Sequence, residues 1–277
     1  MSKSDPGFMP ATPSGAPLDV RKVQEQLTAR RLGAKFHYFT EISSTNTHAR
    51  ELAERGAAEG EIVIGETQTH GRGRLGRHWE SPSLVNLYLS IILRPKLAPK
   101  HAPQITLMAA VALVETFAPL IAQAPIIKWP NDILVAGRKV AGILTELYAE
   151  LDRVNHVILG VGVNVNLTSS DFPPELRKVA TSLQSESGKH VSRPDLAVQI
   201  LRELEQDYGR LRAGDFVAVA DEWEEHCTTI GHEIVIRAGD RRIRGVAESL
   251  GEDGALLLRT EHGHLERVMG GDVTVDR

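Results

Sequence analysis

The 277-residue chain reads as an α+β protein, a mixed sheet with helices packed against it followed by a small all-β barrel, and three observations predict this. Between Glu61 and Val165, runs of strand length dense in Val, Ile and Leu recur, with glycines marking close backbone approach. Two segments carry helical periodicity, one apolar nearly all round through Met108, Val111 and Phe117, the other striped at Leu196, Ile200, Leu204, Tyr208 and Leu211. After Thr229 the pattern changes to short alternating strands separated by Gly and Asp turns, the spacing of a small barrel.

In chain order, residues 1–17 are dense in Pro, Gly, Ser and Thr, the composition of a flexible tail that cannot bury enough surface to order itself. Order is expected from Thr40. Ser43, Ser44 and Thr45 offer N-caps for a short helix through Ala49, Leu52 and Ala53, which Gly56 can close. Residues 61–67 read as a strand, 70–78 as a glycine and arginine loop, and 84–93 as a long apolar strand. A buried helix opens at Pro103. Strand-like runs follow at 126–129, at 132–139 continuing into 140–148, and at 154–165. Ser192, Pro194 and Asp195 cap a helix that lasts to Gly214, and a second helix covers 216–226. The barrel strands fall at 233–236, 243–249, 255–258, 265–269 and 273–275, and no internal repeat is present.

A formal charge of −4 argues against a surface built as one polyanion-binding field, so nucleotide chemistry should be local. The single cysteine, Cys227, builds neither a disulfide framework nor a cysteine-based zinc site within one chain. The first residues contain no signal-peptide core, and nowhere do eighteen apolar residues run together. A soluble, cytoplasmic protein is the expectation.

The loop Gln68-Thr-His-Gly71-Arg72-Gly73-Arg74-Leu-Gly76-Arg77-His78-Trp79 sets three arginines on a backbone made pliable by three glycines, suited to folding over phosphate. Gly71, Gly73 and Gly76 also match the dinucleotide G-x-G-x-x-G pattern, but the residues after Gly76 are not helix-friendly, and Pro82 follows closely. No Walker A pattern occurs. The plainer alternative for Arg72, Arg74 and Arg77 is a solvated basic turn or a nonspecific nucleic-acid contact.

Lys128-Trp129-Pro130-Asn131-Asp132 follows the apolar pair Ile126-Ile127, so Pro130 ends a strand and presents Asn131 and Asp132 at a turn; ordinary turn chemistry explains this equally well. Lys139 then opens a strand in which Ala141 and Gly142 leave one stretch flat enough for an apolar ligand, although an isolated lysine at a strand edge is commonly just solvated. Gly160, Gly162, Asn164 and Asn166 interrupt a strand where valines would pack better, which suggests a ligand wall.

Taken together, Ser44-Thr45-Asn46, Gln68 with the loop 71–79, Lys128 to Asp132, Lys139 to Glu146 and Gly160 to Asn166 resemble the catalytic domain of biotin protein ligases, in the family's order. The resemblance runs from about Phe36 to the end. It implies a biotin/lipoate ligase-like catalytic domain over 36–228 and an SH3-like β-barrel over 229–277, preceded by a tail and short lead-in over 1–35. One branch of the family carries an N-terminal winged helix-turn-helix repressor domain of about sixty residues; with about thirty-five residues here, no DNA-binding function is expected.

The resemblance assigns the substrates biotin and ATP, with magnesium, and as acceptor a biotin carboxyl carrier domain of a biotin-dependent carboxylase. It gives ureido recognition to Ser44, Thr45, Asn46 and Gln68, and a ring wall to Gly142 and Gly162. Gly71 and Gly73 complete the biotin site. Arg72, Arg74 and Lys139 would neutralise the reacting carboxylate and α-phosphate. Arg77 and His78 would hold pyrophosphate, Trp79 and Asn164 adenine, with Lys128 and Asn131 beside the nucleotide, and Asp132 would orient the acceptor lysine or accept its proton. Magnesium ligands are unassigned. An edge of the central sheet is the candidate homodimer surface. Two alternatives stand beside this reading: a lipoate ligase of the same fold, and a noncatalytic nucleic-acid-binding module.

Overall fold

A computed structural model of the chain describes residues 15–27, 31–238 and 241–275. Most of the proposed N-terminal tail, residues 1–14, lies outside the described residues.

The first layer is a seven-stranded sheet built from β1 (Lys35–Phe39), β2 (Glu61–Gly65), β3 (Leu87–Leu93), β4 (Ile126–Lys128), β5 (Asp132–Val135), β6 (Arg138–Ala149) and β7 (Val154–Val163), in the order β1-β2-β3-β7-β6-β5-β4. Only β1 and β2 run parallel; the other neighbours are antiparallel, which makes the sheet mixed as expected. The run expected to continue from Asp132 through Tyr148 is instead a hairpin of β5 and β6. Its two turn residues, Ala136 and Gly137, both have positive φ (51° and 72°), the combination of a type I′ turn that matches strand twist.

Strand alternation sorts side chains between two faces. Leu87, Leu89, Ile91 and Leu93 of β3 enter the main core, while Ile92 joins a smaller cluster with Ala49 and Ala53 of α2 (Thr45–Glu54). The main core is covered by α3 (Pro103–Phe117), whose all-round apolar surface is buried as the sequence predicts. With its flanking turns it spans Pro99–Leu120, long and apolar enough to cross a membrane by length and composition, but 67% of its apolar eighteen-residue stretch is buried inside the fold, as in a core helix. Over α3 lie α5 (Arg193–Arg212) and α6 (Phe216–His226), with α4 (Leu183–Ser187) short and capped by Ser182. Ser192 caps α5 by accepting from the Asp195 amide, and Gly214 follows with φ 86°.

Order begins before Thr40. Helix α1 (Val20–Gln26) inserts Val23 into the core beside α5, and β1 is an edge strand whose residues are only half-buried, so its alternation is faint in the sequence. Residues 15–17, placed by composition in a flexible tail, are docked: the Ala16 carbonyl accepts from Arg193 Nη2. Leu18 donates its amide to Glu66 Oε1 at 2.6 Å, and Glu66 pairs with Arg193 at 2.7 Å; both charged side chains are buried. Burial of that pair removes the water that would otherwise solvate it, so each charge depends on the other.

The second layer is an antiparallel sheet of β8 (Glu233–Ala238), β9 (Arg241–Leu250), β10 (Leu256–Thr260), β11 (Leu265–Val268) and β12 (Asp272–Val275), in the order β11-β10-β9-β8-β12. Its interior residues Ile234, Ile236, Leu256 and Leu258 join the same core cluster as α3. Gln104 of α3 donates to the Glu252 carbonyl at 2.7 Å, fixing the small sheet against the large one.

Replacing Arg193 by Ala strands the buried Glu66 carboxylate and frees the 15–18 segment. A loss of about 3 to 5 kcal/mol in unfolding free energy is expected, read from the urea midpoint; a shift under a tenth of that would show that the pair holds nothing.

Candidate active site

On the sheet face away from α3, between α2 and the loop after β2, opens a cavity of about 450 Å³. Its floor is sheet stripped to glycine, with the Trp79 indole and the Asn46 amide seated on it. Gly142 of β6 and Gly162 of β7 are register partners, and Gly160 follows on the same face. A Cβ at Gly142 would come within 2.8 Å of the Trp79 ring, and one at Gly162 within 2.7 Å. One at Gly160 would come within 2.0 Å of Asn46 Oδ1. The absent side chains thus admit an indole and an amide to the sheet surface. Trp79 Nε1 is buried there without a hydrogen-bond partner in the protein.

The start of α2 supplies the polar end, where Ser44, Thr45 and Asn46 are buried. Gln68 Oε1 accepts from the Thr45 amide (2.9 Å) and hydroxyl (3.1 Å), while its Nε2 donates to Ser81 Oγ at 3.1 Å. Asn46 Nδ2 donates to the Leu144 carbonyl (3.2 Å) and Glu146 Oε2 (2.8 Å), and Ser90 Oγ donates to Asn46 Oδ1 at 2.6 Å. The Asn46 amide is thus oriented by protein partners where it lines the cavity.

The loop is stapled at its base. Thr69 and His70 donate their amides to the Ile42 and Ser43 carbonyls, Trp79 to Gly71, and Gly73 to Arg77. A Cβ at Gly71 would lie 2.4 Å from the Trp79 carbonyl, so this glycine lets the two sides of the loop approach; it is not on the cavity wall. The tip, Arg74–Gly76, is a single 3₁₀ turn with Leu75 and Gly76 at positive φ, and Leu75 is 70% exposed. No helix opens at the third glycine, which removes the dinucleotide reading on geometry.

Around the cavity stand Arg72, Arg74, Arg77, Lys128 and Lys139, with Gly73, His78, Asn131 and Asp132 among them. Three of these groups are already oriented. Arg72 Nη2 meets Glu146 Oε2 at 2.7 Å, Arg74 Nη1 donates to Asn131 Oδ1 at 3.2 Å, and Lys139 Nζ meets Asp132 Oδ1 at 2.6 Å. Asn131 is itself fixed by donating to the Ile143 carbonyl at 2.7 Å, and Lys139 Nζ lies 5.1 Å from the Trp79 ring centre. Asp132 is the one carboxylate on the wall among the described residues, so the site favours an anion.

The sequence reading missed a third contributor. Arg237, Gly271 and Val273 of the small sheet complete the wall, and a Cβ at Gly270 would come within 3.2 Å of Arg74 Nη2. Gly271, at φ 158°, brings β12 onto the Arg237 carbonyl. The only sequence signal was the Gly270-Gly271 pair, which read as a turn. Asn164 is displaced from this cavity. It lines an adjoining one of about 500 Å³ shared by Gln68, His78, Trp79 and Lys139 and closed by Leu167, Phe172 and Val179. Its Nδ2 donates to the Thr181 carbonyl at 3.0 Å.

Thiolate chemistry is disfavoured. Cys227 is buried, and burial pushes its thiol up, away from thiolate chemistry. Among the described residues no group of three or more His, Cys, Asp or Glu gathers as a metal cage. The arrangement suits a flat apolar ligand with a polar head, lying beside a polyanion that spans two adjoining cavities.

Comparison with known proteins agrees. The profile of the Biotin/lipoate A/B protein ligase family matches residues 38–164, and that of the biotin protein ligase C terminal domain matches residues 229–275. A bifunctional ligase/repressor of Bacillus spizizenii is 38% identical over 256 residues, 92% of this chain and 78% of the relative. A biotin--[acetyl-CoA-carboxylase] ligase of Mycobacterium tuberculosis is 33% identical over 264 residues, covering 93% and 95%. Among solved structures, the biotin protein ligase of Aquifex aeolicus in complex with biotin and ATP superposes with a TM-score of 0.74 at 28% identity, over 88% of this chain and 99% of that one.

Gly160→Ala forces the Asn46 amide off the sheet. Destabilisation of about 1 to 3 kcal/mol is expected, as for other overpacked interiors, measured by urea unfolding; an unchanged midpoint would mean that the amide moves freely.

Proposed function

The chain belongs to the biotin/lipoate A/B protein ligase family, and on that premise we propose that it is a cytoplasmic enzyme that activates biotin with ATP and transfers the biotinyl group to a carrier-domain lysine. The observation that carries this reading is one cavity that combines a glycine floor, a polar end at α2 and a wall of cations, and that shares Trp79 and Lys139 with an adjoining second cavity. Biotin has the matching parts: a ureido group for Ser44, Thr45, Asn46 and Gln68, an apolar ring for the wall made by Trp79 and the glycine strands, and a carboxylate for the arginines. The acceptor is a biotin carboxyl carrier domain of a carboxylase, in keeping with the acetyl-CoA carboxylase named for the Mycobacterium tuberculosis relative.

In the first step a biotin carboxylate oxygen attacks the α-phosphorus of ATP, and pyrophosphate leaves. Two anions must meet, and Arg72, Arg74 and Lys139 are placed to offset their repulsion without reorganising at the moment of reaction. Lys139 trades its ion pair with Asp132 for the incoming anion. Magnesium would supply charge neutralisation at the phosphates of the nucleotide, and no residue of the chain is assigned to hold it. Adenine enters the adjoining cavity between Trp79 and Asn164, and Arg77, His78, Lys128 and Arg237 face the departing pyrophosphate.

In the second step the neutral amine of the acceptor lysine attacks the biotinyl carbonyl, AMP leaves, and the ammonium proton is lost. Asp132, released from Lys139, is the carboxylate at hand to orient the amine or take that proton. The mixed anhydride is sensitive to water, and the loop 71–79 forms the cover over it. The proposal concerns the ligase activity. The repressor activity named for the Bacillus spizizenii relative belongs to a protein of which this chain matches 78%.

With magnesium and ATP, acid-dependent exchange of labelled pyrophosphate into ATP is expected with biotin and not with lipoate. Exchange with lipoate alone would move the chain to the sister activity, and no exchange with either acid would reject adenylation. Lys139→Ala should slow exchange by about a hundredfold or more, the scale of removing one preorganised donor. Arg237→Ala should raise the KM for ATP by about tenfold, the low end for a lost charge-assisted hydrogen bond, with the KM for biotin unchanged. Equal effects on both substrates would take Arg237 away from the phosphates.

A further inference from the structure

Residues 142, 144 and 146 of β6 share the face that carries the cavity, and the first two leave a flat or apolar surface. The third is a glutamate, half-sequestered behind the wall, where an apolar residue would pack without cost. One of its carboxylate oxygens, Oε2, receives two donors of opposite character. Asn46 Nδ2, from the buried start of α2, reaches it at 2.8 Å, and Arg72 Nη2, from the loop, reaches it at 2.7 Å. Asn46 is itself locked on its remaining sides by the Leu144 carbonyl and by Ser90. Ser90 Oγ also lies 2.8 Å from Thr45 Oγ1, and the Thr45 hydroxyl reaches Gln68 Oε1. The Thr45 hydroxyl proton goes to Gln68 and the Ser90 proton to Asn46, so the chain of hydrogen bonds that reaches Arg72 starts at Ser90.

The arrangement has a directional logic. An exposed carboxylate gives a loop arginine little, because both side chains must be ordered for a screened attraction. Here the carboxylate is held in advance by an amide that cannot turn, and Gly160 leaves the space that amide needs. Arg72 therefore docks onto a fixed acceptor. The contact engages one guanidinium nitrogen, and a guanidinium carries five N–H donors in a rigid fork, so the rest stay available for an anion in the cavity.

We propose that Glu146 is a positioning residue that pins the loop arginine Arg72 over the acid-binding end of the cavity, using Asn46 as its fixed anchor. The inference rests on the ligase reading and deepens it, since the anion presented to Arg72 is then the carboxylate of the acid substrate. Glu146 touches no reacting atom. Its effect passes through Arg72, and it sets how firmly the loop covers the acid end before any ligand arrives.

Two measurements on the full chain test this. The first needs no reaction: limited trypsin digestion of the protein without ligand, followed by mass spectrometry of the loop arginines. Glu146→Gln, which keeps the shape and removes the charge, should speed cleavage after Arg72 by about fivefold or more, with an unchanged thermal midpoint. Glu146→Asp should restore part of the protection. The second is a double-mutant cycle in biotin-dependent pyrophosphate exchange. Glu146→Gln should raise the KM for biotin about tenfold while changing kcat less than twofold, and it should add nothing once Arg72 is already Ala.

Unchanged cleavage after Arg72, or effects of the two substitutions that simply multiply, would overturn the proposal. A lowered KM for biotin in Glu146→Gln would also overturn it, since Glu146 would then be competing with the substrate for Arg72. Absence of exchange in the unsubstituted protein would reject the ligase reading instead, leaving the trypsin result to decide the link between Glu146 and Arg72.

Discussion

A sheet face normally carries a side chain at every second residue, and helices cover the hydrophobic part of it. Here one patch, at Gly142, Gly160 and Gly162 on the central strands β6 and β7, has no side chains of its own, and the start of α2 and the loop tryptophan are seated on it. That omission controls the rest of the site. It lets Asn46 enter from α2 and Trp79 from the loop to contact backbone directly, and it leaves the volume in which a small molecule fits. Glycine in a strand sacrifices packing and gains backbone freedom it does not need, so three on one patch of one face mark a place where stability yields to the ligand.

Charge is arranged with equal economy. The cations around the cavity are held in place before a substrate arrives, Arg72 by Glu146, Lys139 by Asp132 and Arg74 by Asn131. Asp132 can give up Lys139 to an incoming anion, Glu146 keeps its hold on Arg72 while the other guanidinium donors stay available, and Arg74 rests on a neutral amide. The cost of orienting flexible side chains is met on folding, so less remains to be met in the transition state. The small sheet takes part in the same way, its Gly270-Gly271 turn thin enough to admit the Arg74 guanidinium.

The large elements were legible because their periodicity is strong. The start of α3 at Pro103, the whole of α6 and the stripe of α5 follow directly from apolar spacing and capping residues. The hairpin of β5 and β6 was not, because Ala136 hides a positive φ that sequence usually announces with Asn or Gly. The lead-in was missed for a different reason. Its anchor is the pair Glu66 and Arg193, 127 residues apart in sequence, and no local pattern reveals such a contact. At the site, most assigned side chains converge on one cavity, since they sit in short motifs whose spacing survives folding. Gly71 and Asn164 fell outside that cavity, one serving the loop's own backbone and the other a neighbouring space. Arg237 and Glu146 escaped notice because each reads as an ordinary strand charge until the partner element is in place.

The closing wall of the cavity includes Arg237 and Val273 of the small sheet, so the two sheets share the site between them. Gln104 of α3 holds the small sheet in place through the Glu252 carbonyl. A molecule that wedged itself at that seam would open the cavity from the side, at residues far in sequence from every motif that lines its floor.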